Sequence, residues 1–294
     1  MQLLITGSSS TFGKKLVSEL VKQENCSVRL LEHETAAYQA GCEIISGDVR
    51  NVDSLTNACG GVDVVIHLAA LSYSHHEKLY FDVNEGGTRN LITACKKNSI
   101  DRLVFVSTGA ASEKGGAYAV SKLRAEELVR ASGLQKWVIV RPSEIYGPEM
   151  KEGIKKIIDL VDKYPMIPIV GDGSYLLHPV YLDDVCTALI KILNKSDLTK
   201  ETIDLCGPES LRFDELVDRI AEFLSVRRVK VYLPLWCVKL VVSICGILKS
   251  DSVVPDQLPR LIFNKKRCIE KTKSLIPYYP RTLEEGLRAI QSKR

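Results

Sequence analysis

The sequence predicts an α/β protein with a doubly wound parallel sheet and a smaller C-terminal lobe. Short apolar runs rich in β-branched residues alternate with helical patterns through the first two thirds of the 294-residue chain. A glycine-containing turn follows the first run, and small or polar residues follow several later ones. This alternation is typical of parallel strands that are covered on both faces by helices.

The predicted elements follow one another regularly as far as Pro142. The strands are expected at Leu3–Ile5, Val28–Leu31, Ile44–Ile45, Val62–His67, Arg102–Ser107 and Trp137–Arg141. The helices between them are expected at Phe12–Gln23, Val52–Ala58, Glu85–Asn98 and Tyr118–Ser132. Beyond Pro142, where proline and glycine become frequent, we expect helices at Lys151–Lys163, Leu182–Asn194 and Phe213–Leu224, and short strands at Pro179–Tyr181 and Thr202–Leu205.

Composition excludes several classes of function. The net charge is only +4 and the basic residues are dispersed, so we expect no nucleic-acid partner. The nine cysteines form no CxxC pair and lie near no histidine at metal-ligand spacing, which indicates buried thiols in a reducing compartment and no metal site. The chain opens on an apolar strand without room for a signal peptide, so a cytoplasmic location is expected.

One apolar segment stands apart from this pattern. Val231–Leu248 is interrupted only by Pro234 and Lys239. Because the proline shortens the usable helix to 235–248, we expect a helix that is buried against the core or lies in an interface. Peripheral contact with a membrane through 235–248 is left open.

The turn after the first strand predicts a phosphate-binding site. The stretch TGSSSTFG begins at Thr6 and leads into a helix, so backbone N–H groups can approach a pyrophosphate at the helix N-terminus. Serine stands where the middle glycine of the three-glycine fingerprint is expected, and an ordinary βα turn with an N-cap serine is the alternative. The residues predicted to bind the cofactor here are Gly7, Ser9, Ser10, Thr11, Phe12 and Gly13.

Three later strand ends support a dinucleotide site of the Rossmann kind. Glu32 ends the second strand, where an acid accepts both ribose hydroxyls and repels a 2′-phosphate, which favours NAD over NADP although Arg29 and His33 lie nearby. Asp48 and Val49 follow the third strand and are expected at the adenine. The small residues that follow the fourth strand would allow close passage of the dinucleotide: Leu68, Ala69 and Ala70.

Tyr118 and Lys122 lie four residues apart on a predicted helix, so their side chains share a face. A free tyrosine titrates near ~10, and a cation held close favours the phenolate and lowers that pKa. The pair can therefore transfer a proton to or from an alcohol or ketone. Alone, this spacing is weak evidence, because most such pairs are solvated helix faces.

Together these motifs resemble the extended short-chain dehydrogenase/reductases, the NAD-dependent epimerase/dehydratase family. The matching stretches are TGSSSTFG (6–13), GDV (47–49), HLAA (67–70), VNEGGTRNL (83–91), VST (106–108), YAVSK (118–122), RPSEIYGP (141–148) and PVYLDDV (179–185). On this resemblance, residues 1–150 are a Rossmann NAD(P)-binding domain with contributions from about 175–205, and residues 151–294 are mainly a substrate-binding lobe.

The resemblance also implies roles for individual residues. Tyr118 would be the catalytic acid/base, and Lys122 would lower its pKa and hydrogen-bond the nicotinamide ribose. Thr108, or alternatively Ser107, would orient the substrate oxygen. The other residues implied at the cofactor or its supporting helix are Asn84, Pro142 and Ser143. A homodimer is implied through the helices at 85–98 and 118–132.

Substrate identity divides into three hypotheses. The first is a nucleotide-sugar, as for a UDP-glucose 4-epimerase-like enzyme, a dehydratase or a reductase. However, Glu144 stands where such relatives carry asparagine and Leu177 where they carry a diphosphate-binding arginine, so that Arg212 or Arg260 would have to compensate. The second is a lipophilic alcohol or ketone, as for 3β-hydroxysteroid dehydrogenases. The third is a non-catalytic dinucleotide-binding protein that resembles the complex I accessory subunit.

Overall fold

The structure, a computed structural model, describes residues 1–33, 41–247, 256–263, 267 and 269–292. The strands are β1 (Gln2–Thr6), β2 (Ser27–Glu32), β3 (Cys42–Ser46), β4 (Val64–His67), β5 (Arg102–Val106), β6 (Lys136–Pro142), β7 (Glu144–Tyr146), β8 (Met166–Val170), β9 (Leu176–Leu177), β10 (Pro179–Tyr181), β11 (Glu201–Leu205), β12 (Leu211–Arg212) and β13 (Val229–Leu233). The helices are α1 (Thr11–Leu20), α2 (Val52–Ala58), α3 (Glu77–Tyr80), α4 (Gly87–Lys97), α5 (Gly116–Arg130), α6 (Ile154–Lys163), α7 (Leu182–Asn194), α8 (Phe213–Phe223), α9 (Leu235–Ile247), α10 (Gln257–Ile262), α11 (Ile269–Leu275) and α12 (Leu283–Gln291).

The main sheet of the described chain has seven parallel strands in the order β3-β2-β1-β4-β5-β6-β11. The order reverses between β1 and β4, because β1 continues to β2 on one side and β4 to β5 on the other. In open α/β sheets a ligand crevice forms at the carboxyl ends of the strands at such a reversal. The predicted doubly wound parallel sheet is confirmed.

Helices cover both faces of this sheet, as its apolar strands require. One core lies under α1 and α7 and includes Leu16 and Leu189; the other lies under α2, α4 and α5 and includes Leu55 and Leu91. A third core, around Ile158, joins α6, α8 and α12 to β8 in the C-terminal lobe. Strand β11 adds to the edge of the main sheet beside β6. The domain boundary at residue 150 stays a prediction.

Two parts of the chain differ from the sequence prediction. The helix expected to begin at Glu85 starts earlier, because α3 continues through a π-helical turn (Phe81–Gly86) into α4. The parallel pair β8 and β13 was not predicted, since Pro165 and Pro168 read as loop signals. A small two-stranded sheet has only edge strands, where proline is tolerated because its missing N–H can face solvent.

No helix among the described residues is both long enough and apolar enough to cross a membrane. Helix α9 takes up the apolar segment from Leu235 as far as Ile247. Residue 248, the last of the predicted helix, lies outside the described residues.

A buried carboxylate joins α5 to the sheet beneath it. Glu126 is fully buried, and its two oxygens accept hydrogen bonds from Arg141 at 2.8 and 2.6 Å, from Arg130 at 2.8 Å and from the Ser107 hydroxyl at 2.6 Å. Burial alone would raise the pKa of Glu126, but the hydrogen bonds and charge of Arg141 outweigh it and the pKa is lowered. The carboxylate is therefore ionised and fixes the helix on which Tyr118 lies.

Replacing Glu126 with glutamine should lower the free energy of unfolding by about 3 kcal/mol, because it leaves the Arg141 charge partly buried without its partner. The control is Glu127→Gln, an exposed neighbour on the same helix, which should change the free energy by less than ~0.5 kcal/mol. Urea denaturation at neutral pH measures both. Equal losses in the two variants would contradict the assigned role of Glu126.

Candidate dinucleotide and catalytic site

The turn after β1 is shaped by close contacts that exclude side chains. Gly7 has a φ of +77°, and a Cβ at this position would lie 2.5 Å from the backbone nitrogen of Ala69. A Cβ on Gly13 would collide with the carbonyl oxygen of Gly7. Ser10 caps α1: its Oγ accepts from the Gly13 N–H at 3.0 Å and donates to the Gly7 carbonyl at 3.0 Å. Serine at the middle fingerprint position thus holds the turn by its side chain.

A buried histidine holds the two strand ends beside this turn. His67 is fully buried between the hydroxyls of Thr6, at 2.6 Å from Nδ1, and Thr88, at 3.2 Å from Nε2. Burial lowers the pKa of His67 to about 3, with the Lys122 charge as a second cause, so the imidazole is neutral. Thr6 Oγ1 also accepts from the Ala69 N–H at 3.2 Å. No motif in the sequence indicates this bridging position of His67.

A cleft of about 450 Å³ opens between the ends of β1 and β4. Eight of the predicted cofactor residues line it: Gly7, Ser9, Ser10, Asp48, Val49, Leu68, Ala69 and Ala70. Thr11, Phe12 and Gly13 form the first turn of α1 and are not among its lining residues. The lining combines backbone of the glycine turn with small apolar side chains, which fits a dinucleotide that needs close approach at its pyrophosphate and an apolar seat for its base.

The charged end of the cleft differs from the prediction. Glu32 ends β2 but is not among the lining residues; its carbonyl accepts from the Gly47 N–H at 2.8 Å. Asp48 lies in the lining with its carboxylate already engaged by Arg50, at 2.6 Å, and by His33, at 3.1 Å. The hydrogen bond from the Arg50 side chain lowers the pKa of Asp48. Arg50 and His33 also line the cleft and were not assigned to it from the sequence.

Arg29, which left the choice between NAD and NADP open, points away from the cleft. Its guanidinium binds Glu43 at 2.8 Å and the carbonyls of Ala58 and Gly60 at 2.8 and 2.6 Å. It is not among the residues that line the cleft. Arg50 is therefore the arginine that faces this end of the cleft.

Asn84 supports the active-site helix. Its Nδ2 donates to Ser121 Oγ at 2.9 Å and to the Leu71 carbonyl at 3.1 Å, and its Oδ1 accepts from the Leu71 N–H at 2.8 Å. Both amide hydrogens are thus used within the protein. Asn84 ties the segment after β4 to α5, and does so from the π-helical turn that precedes α4.

The two hydroxyls at the end of β5 have separate partners. Ser107 donates to the buried Glu126. Thr108 Oγ1 accepts from the Ala110 N–H at 3.1 Å and is close enough to the Tyr118 phenol to lower its pKa. The structure therefore brings Thr108, and not Ser107, to the phenol of Tyr118.

Burial and nearby groups act on the Tyr118 phenol in opposite directions. Burial raises its pKa above the ordinary value; the charge of Arg260 and the hydrogen bond with Thr108 act in the opposite direction. The guanidinium carbon of Arg260 lies 4.6 Å from the centre of the tyrosine ring. Lys122 is not among these causes, and its predicted effect on the pKa of Tyr118 stays a prediction.

Lys122 is directed into the sheet. Its ammonium donates to the Val106 carbonyl at 2.8 Å and lies 4.2 Å from the centre of the Phe105 ring. Burial lowers the pKa of Lys122 to about 7, against the opposing charge of Glu126. At neutral pH this group can therefore exchange a proton, but its hydrogen bond is to the backbone of β5.

Helix α10 contacts the helix that carries Tyr118. Asp256, at its N-cap position, accepts from the Tyr118 N–H at 3.2 Å and pairs with Arg260 at 3.2 Å. Arg260 also donates to the Ser72 carbonyl at 3.0 Å. The contact joins residues 138 positions apart, and Tyr118 is not among the residues that line the cleft. Access to its hydroxyl from the lobe side therefore passes α10.

The remaining predicted cofactor residues lie at the end of β6. The Pro142 carbonyl accepts from the Gly109 N–H at 2.6 Å, and the Ser143 hydroxyl donates to the His178 carbonyl. Glu144 Oε2 accepts from the His178 N–H at 2.9 Å. The segment after β6 is thus bound to His178, the residue between β9 and β10.

Arg267 is a second arginine near the predicted site, and its side chain is buried close to the end of β6. The Arg267 side chain is 6% exposed, lies against Gly109 and is 3.7 Å from the Asp204 carboxylate. Burial lowers its pKa, while the charges of Asp204 and Glu144 raise it. Within the described residues, Nε and Nη2 of Arg267 and Nε of Arg260 have no hydrogen-bond partner.

Leu177 occupies the position where a diphosphate-binding arginine is expected in nucleotide-sugar enzymes of this kind. Leu177 is 2% exposed and pairs with Leu211 across β9 and β12. Arg212, one of the two compensating arginines considered from the sequence, binds the Asp214 carboxylate at 3.0 and 3.1 Å. Arg260, over the Tyr118 ring, and Arg267, against Gly109, are the other arginines near the predicted catalytic residues.

Residues 3–206 match the NAD dependent epimerase/dehydratase family. The chain belongs to this family. The family resemblance predicted from the sequence is confirmed, and NAD, the predicted cofactor, is the dinucleotide for which the family is named.

Relatives of this chain, two of them with named activities, align at low identity. UDP-glucose 4-epimerase of Vibrio cholerae is 24% identical over 313 residues, 97% of this chain and 93% of that protein. A 3β-hydroxysteroid dehydrogenase/decarboxylase of Arabidopsis thaliana is 23% identical over 340 residues, 97% of this chain and 77% of that protein. An uncharacterised protein of Mycobacterium tuberculosis is 25% identical over 213 residues, 72% of this chain, which spans only 22% of that longer protein.

A solved structure supports the fold over the whole chain. UDP-glucuronic acid 4-epimerase of Bacillus cereus, determined with UDP-glucuronic acid and NAD, superposes with a TM-score of 0.78 at 23% identity, covering 100% of both chains. The epimerase/dehydratase fold is therefore common to both proteins.

Replacing Gly7 with alanine should weaken NAD binding at least about tenfold, because the new Cβ would push the Ala69 backbone into the cleft. Gly133→Ala is the matched control, since Gly133 has a φ of +76° and a Cβ placed on it would meet no heavy atom within 4 Å. Both variants carry the same backbone strain, but only Gly7→Ala alters the cleft. Titration calorimetry with NAD separates them, and equal affinities would contradict the placement of the dinucleotide.

Proposed function

We propose that this protein is an NAD-dependent oxidoreductase of the epimerase/dehydratase type that acts on a nucleotide-sugar. The observation that carries the proposal is the arrangement at the carboxyl ends of β1, β4 and β5. The cleft opens at the glycine turn after β1, Thr108 follows β5 near the Tyr118 phenol, and the Arg260 guanidinium lies 4.6 Å from the centre of the tyrosine ring.

NAD, when bound, would supply the hydride chemistry, and the residues of the cleft fit it. The glycine turn and the N-terminus of α1 would hold the pyrophosphate, and the small residues after β4 would let it pass. Tyr118 would move the proton at the substrate oxygen, while Thr108 orients that oxygen. Because burial raises the pKa of Tyr118, the phenol is protonated at neutral pH and can donate; Arg260 favours the phenolate that is left behind.

The buried arginines support an anionic substrate. Arg260 and Arg267 have N–H groups without partners within the described residues, and both lie near the predicted catalytic groups. An unpaired buried guanidinium N–H is costly and would be satisfied by a phosphate or carboxylate oxygen. The UDP-sugars for which two relatives are named carry a diphosphate, which is an anion of this kind. Arg260 and Arg267 would thus bind the substrate anion in place of the arginine that was expected at the position of Leu177.

A lipophilic alcohol or ketone is the second candidate. A mostly apolar cleft of about 570 Å³ lies between α9 and α10, and its lining includes Val242, Ile262 and Phe263. Helix α10 separates this cleft from Tyr118. For a substrate bound here to reach Tyr118, α10 would have to move, and the polar end of the substrate would then face the tyrosine.

Substituting Tyr118 with phenylalanine should abolish turnover while leaving NAD affinity within about twofold, because only the proton-transferring hydroxyl is removed. Tyr279→Phe is the control: this tyrosine is 83% exposed and should keep full activity. Steady-state kinetics and NAD titration test both. Undiminished turnover would remove Tyr118 from the mechanism, and absence of turnover in the wild type with every substrate offered would favour a dinucleotide-binding protein without catalysis.

UDP-, GDP- or dTDP-sugars should raise the melting temperature of the NAD complex, and Arg260→Ala should weaken the effective nucleotide-sugar by about tenfold or more, the equivalent of one lost charged hydrogen bond. Arg212→Ala, which removes a surface guanidinium bound to Asp214, should leave the shift unchanged. Steroid-like ketones are screened in parallel. Stabilisation by these ketones and by no nucleotide would replace the leading proposal with the second candidate.

A further inference from the structure

An apolar face lies on the side of the lobe where β8 pairs with β13. Their parallel register sets Met166 beside Val229 and Pro168 beside Val231. Paired residues of parallel strands point to the same side, and successive residues alternate. Ile167 of β8 is fully buried in the lobe core, so the four paired residues lie on the opposite, outer side. Met166 and Val229 are more than 60% exposed.

Helix α9 continues this face. Leu235 packs over Gly171, directly after β8, with its Cγ 3.3 Å from the position of a Cβ there. Beyond it, Trp236, Leu240 and Val241 are exposed by 69, 56 and 57%. We use the name apolar face for these exposed side chains: Met166, Val229, Val231, Leu235, Trp236, Leu240 and Val241. Trp236, Leu240 and Val241 follow Leu235 on the same helix, and exposed apolar side chains in this number are typical of an interaction site.

The charge around the apolar face selects the partner. Between Glu222 and Ile247 the sequence contains no acidic residue but has four basic ones, Arg227, Arg228, Lys230 and Lys239. Lys230 is paired with Asp218, whereas Arg227 and Lys239 form no ion pair with a residue that the structure describes. A second copy of this surface would bring like charges together, whereas an anionic bilayer complements them.

We infer that the apolar face docks on an anionic lipid surface. Apolar side chains insert at the headgroup boundary, the exposed indole of Trp236 suits that boundary, and the basic side chains meet lipid phosphates. No membrane-spanning helix is required. The inference does not depend on the proposed catalytic function, because the residues of the apolar face are separate from Tyr118 and from the lining of the dinucleotide cleft.

The orientation has a consequence for the α9–α10 cleft. Its lining joins Val242 and Ser243 of α9 to Leu258 and Phe263, with Lys114 and Lys239 at its edge. Docking through α9 would set this cleft close to the bilayer. A membrane-borne amphiphile with an anionic head could then place its apolar part there, one helix away from Tyr118.

The test is flotation of the full chain with vesicles of phosphatidylcholine alone and of phosphatidylcholine with phosphatidylglycerol. Wild type should float with the anionic vesicles and be released by high salt. The double variant Trp236→Ser, Leu240→Ser should bind at least about tenfold more weakly, since burial of one such side chain alone is equivalent to that factor. Tyr279→Ser, an exposed aromatic outside the face, should bind as wild type.

Tryptophan fluorescence provides an independent readout. The chain has two tryptophans, and Trp137 is buried, so a blue shift on anionic vesicles should come from Trp236 and be lost in Trp236→Phe. An unchanged NAD-induced thermal shift confirms that each variant is folded. Failure of wild type to float, equal flotation of the double variant, or loss of a homodimer in the double variant without any lipid binding would overturn the inference.

Discussion

The divergence of the chain after β1 and β4 is the constraint on which the site depends. These strands are neighbours in the sheet, yet their connections leave in opposite directions, so a crevice has to open at their carboxyl ends. Gly7 keeps its walls close because it lacks the Cβ that would meet Ala69. His67, at the end of β4, joins this strand to β1 through Thr6 and to α4 through Thr88. The base of the cleft is therefore held by hydrogen bonds between three elements.

Local sequence signals predicted the parts of the site that local geometry determines. The alternating strands and helices, the glycine turn and the small residues after β4 each depend on a few consecutive residues, and the structure has them where they were expected. Asp48 and Arg50 are close in the sequence, but their ion pair depends on side-chain rotamers that no motif specifies. The catalytic environment of Tyr118 depends on contacts that a motif cannot specify either.

Two residues show why those contacts escaped prediction. A four-residue spacing on a helix shows that Tyr118 and Lys122 share a face, but not that the ammonium finds the Val106 carbonyl 2.8 Å away. Arg260 reaches the tyrosine ring from a helix more than 130 residues later, and no periodicity connects the two positions. A cation near the phenol was therefore expected from a lysine on α5, whereas the structure has an arginine of α10 over the tyrosine ring.

Helix α10 links the two questions that sequence alone left open, the substrate and the surroundings of the lobe. One side of it brings Asp256 and Arg260 to Tyr118, and another borders the apolar cleft beside α9. Under the proposed function, an anionic substrate that binds Arg260 would compete with Asp256, and Asp256 also accepts a hydrogen bond from the Tyr118 N–H. Binding of the substrate would thus be coupled to the contact between α10 and the helix that carries Tyr118. The coupling is the same for a nucleotide diphosphate and for an anionic amphiphile, because both carry a charge that Arg260 can bind.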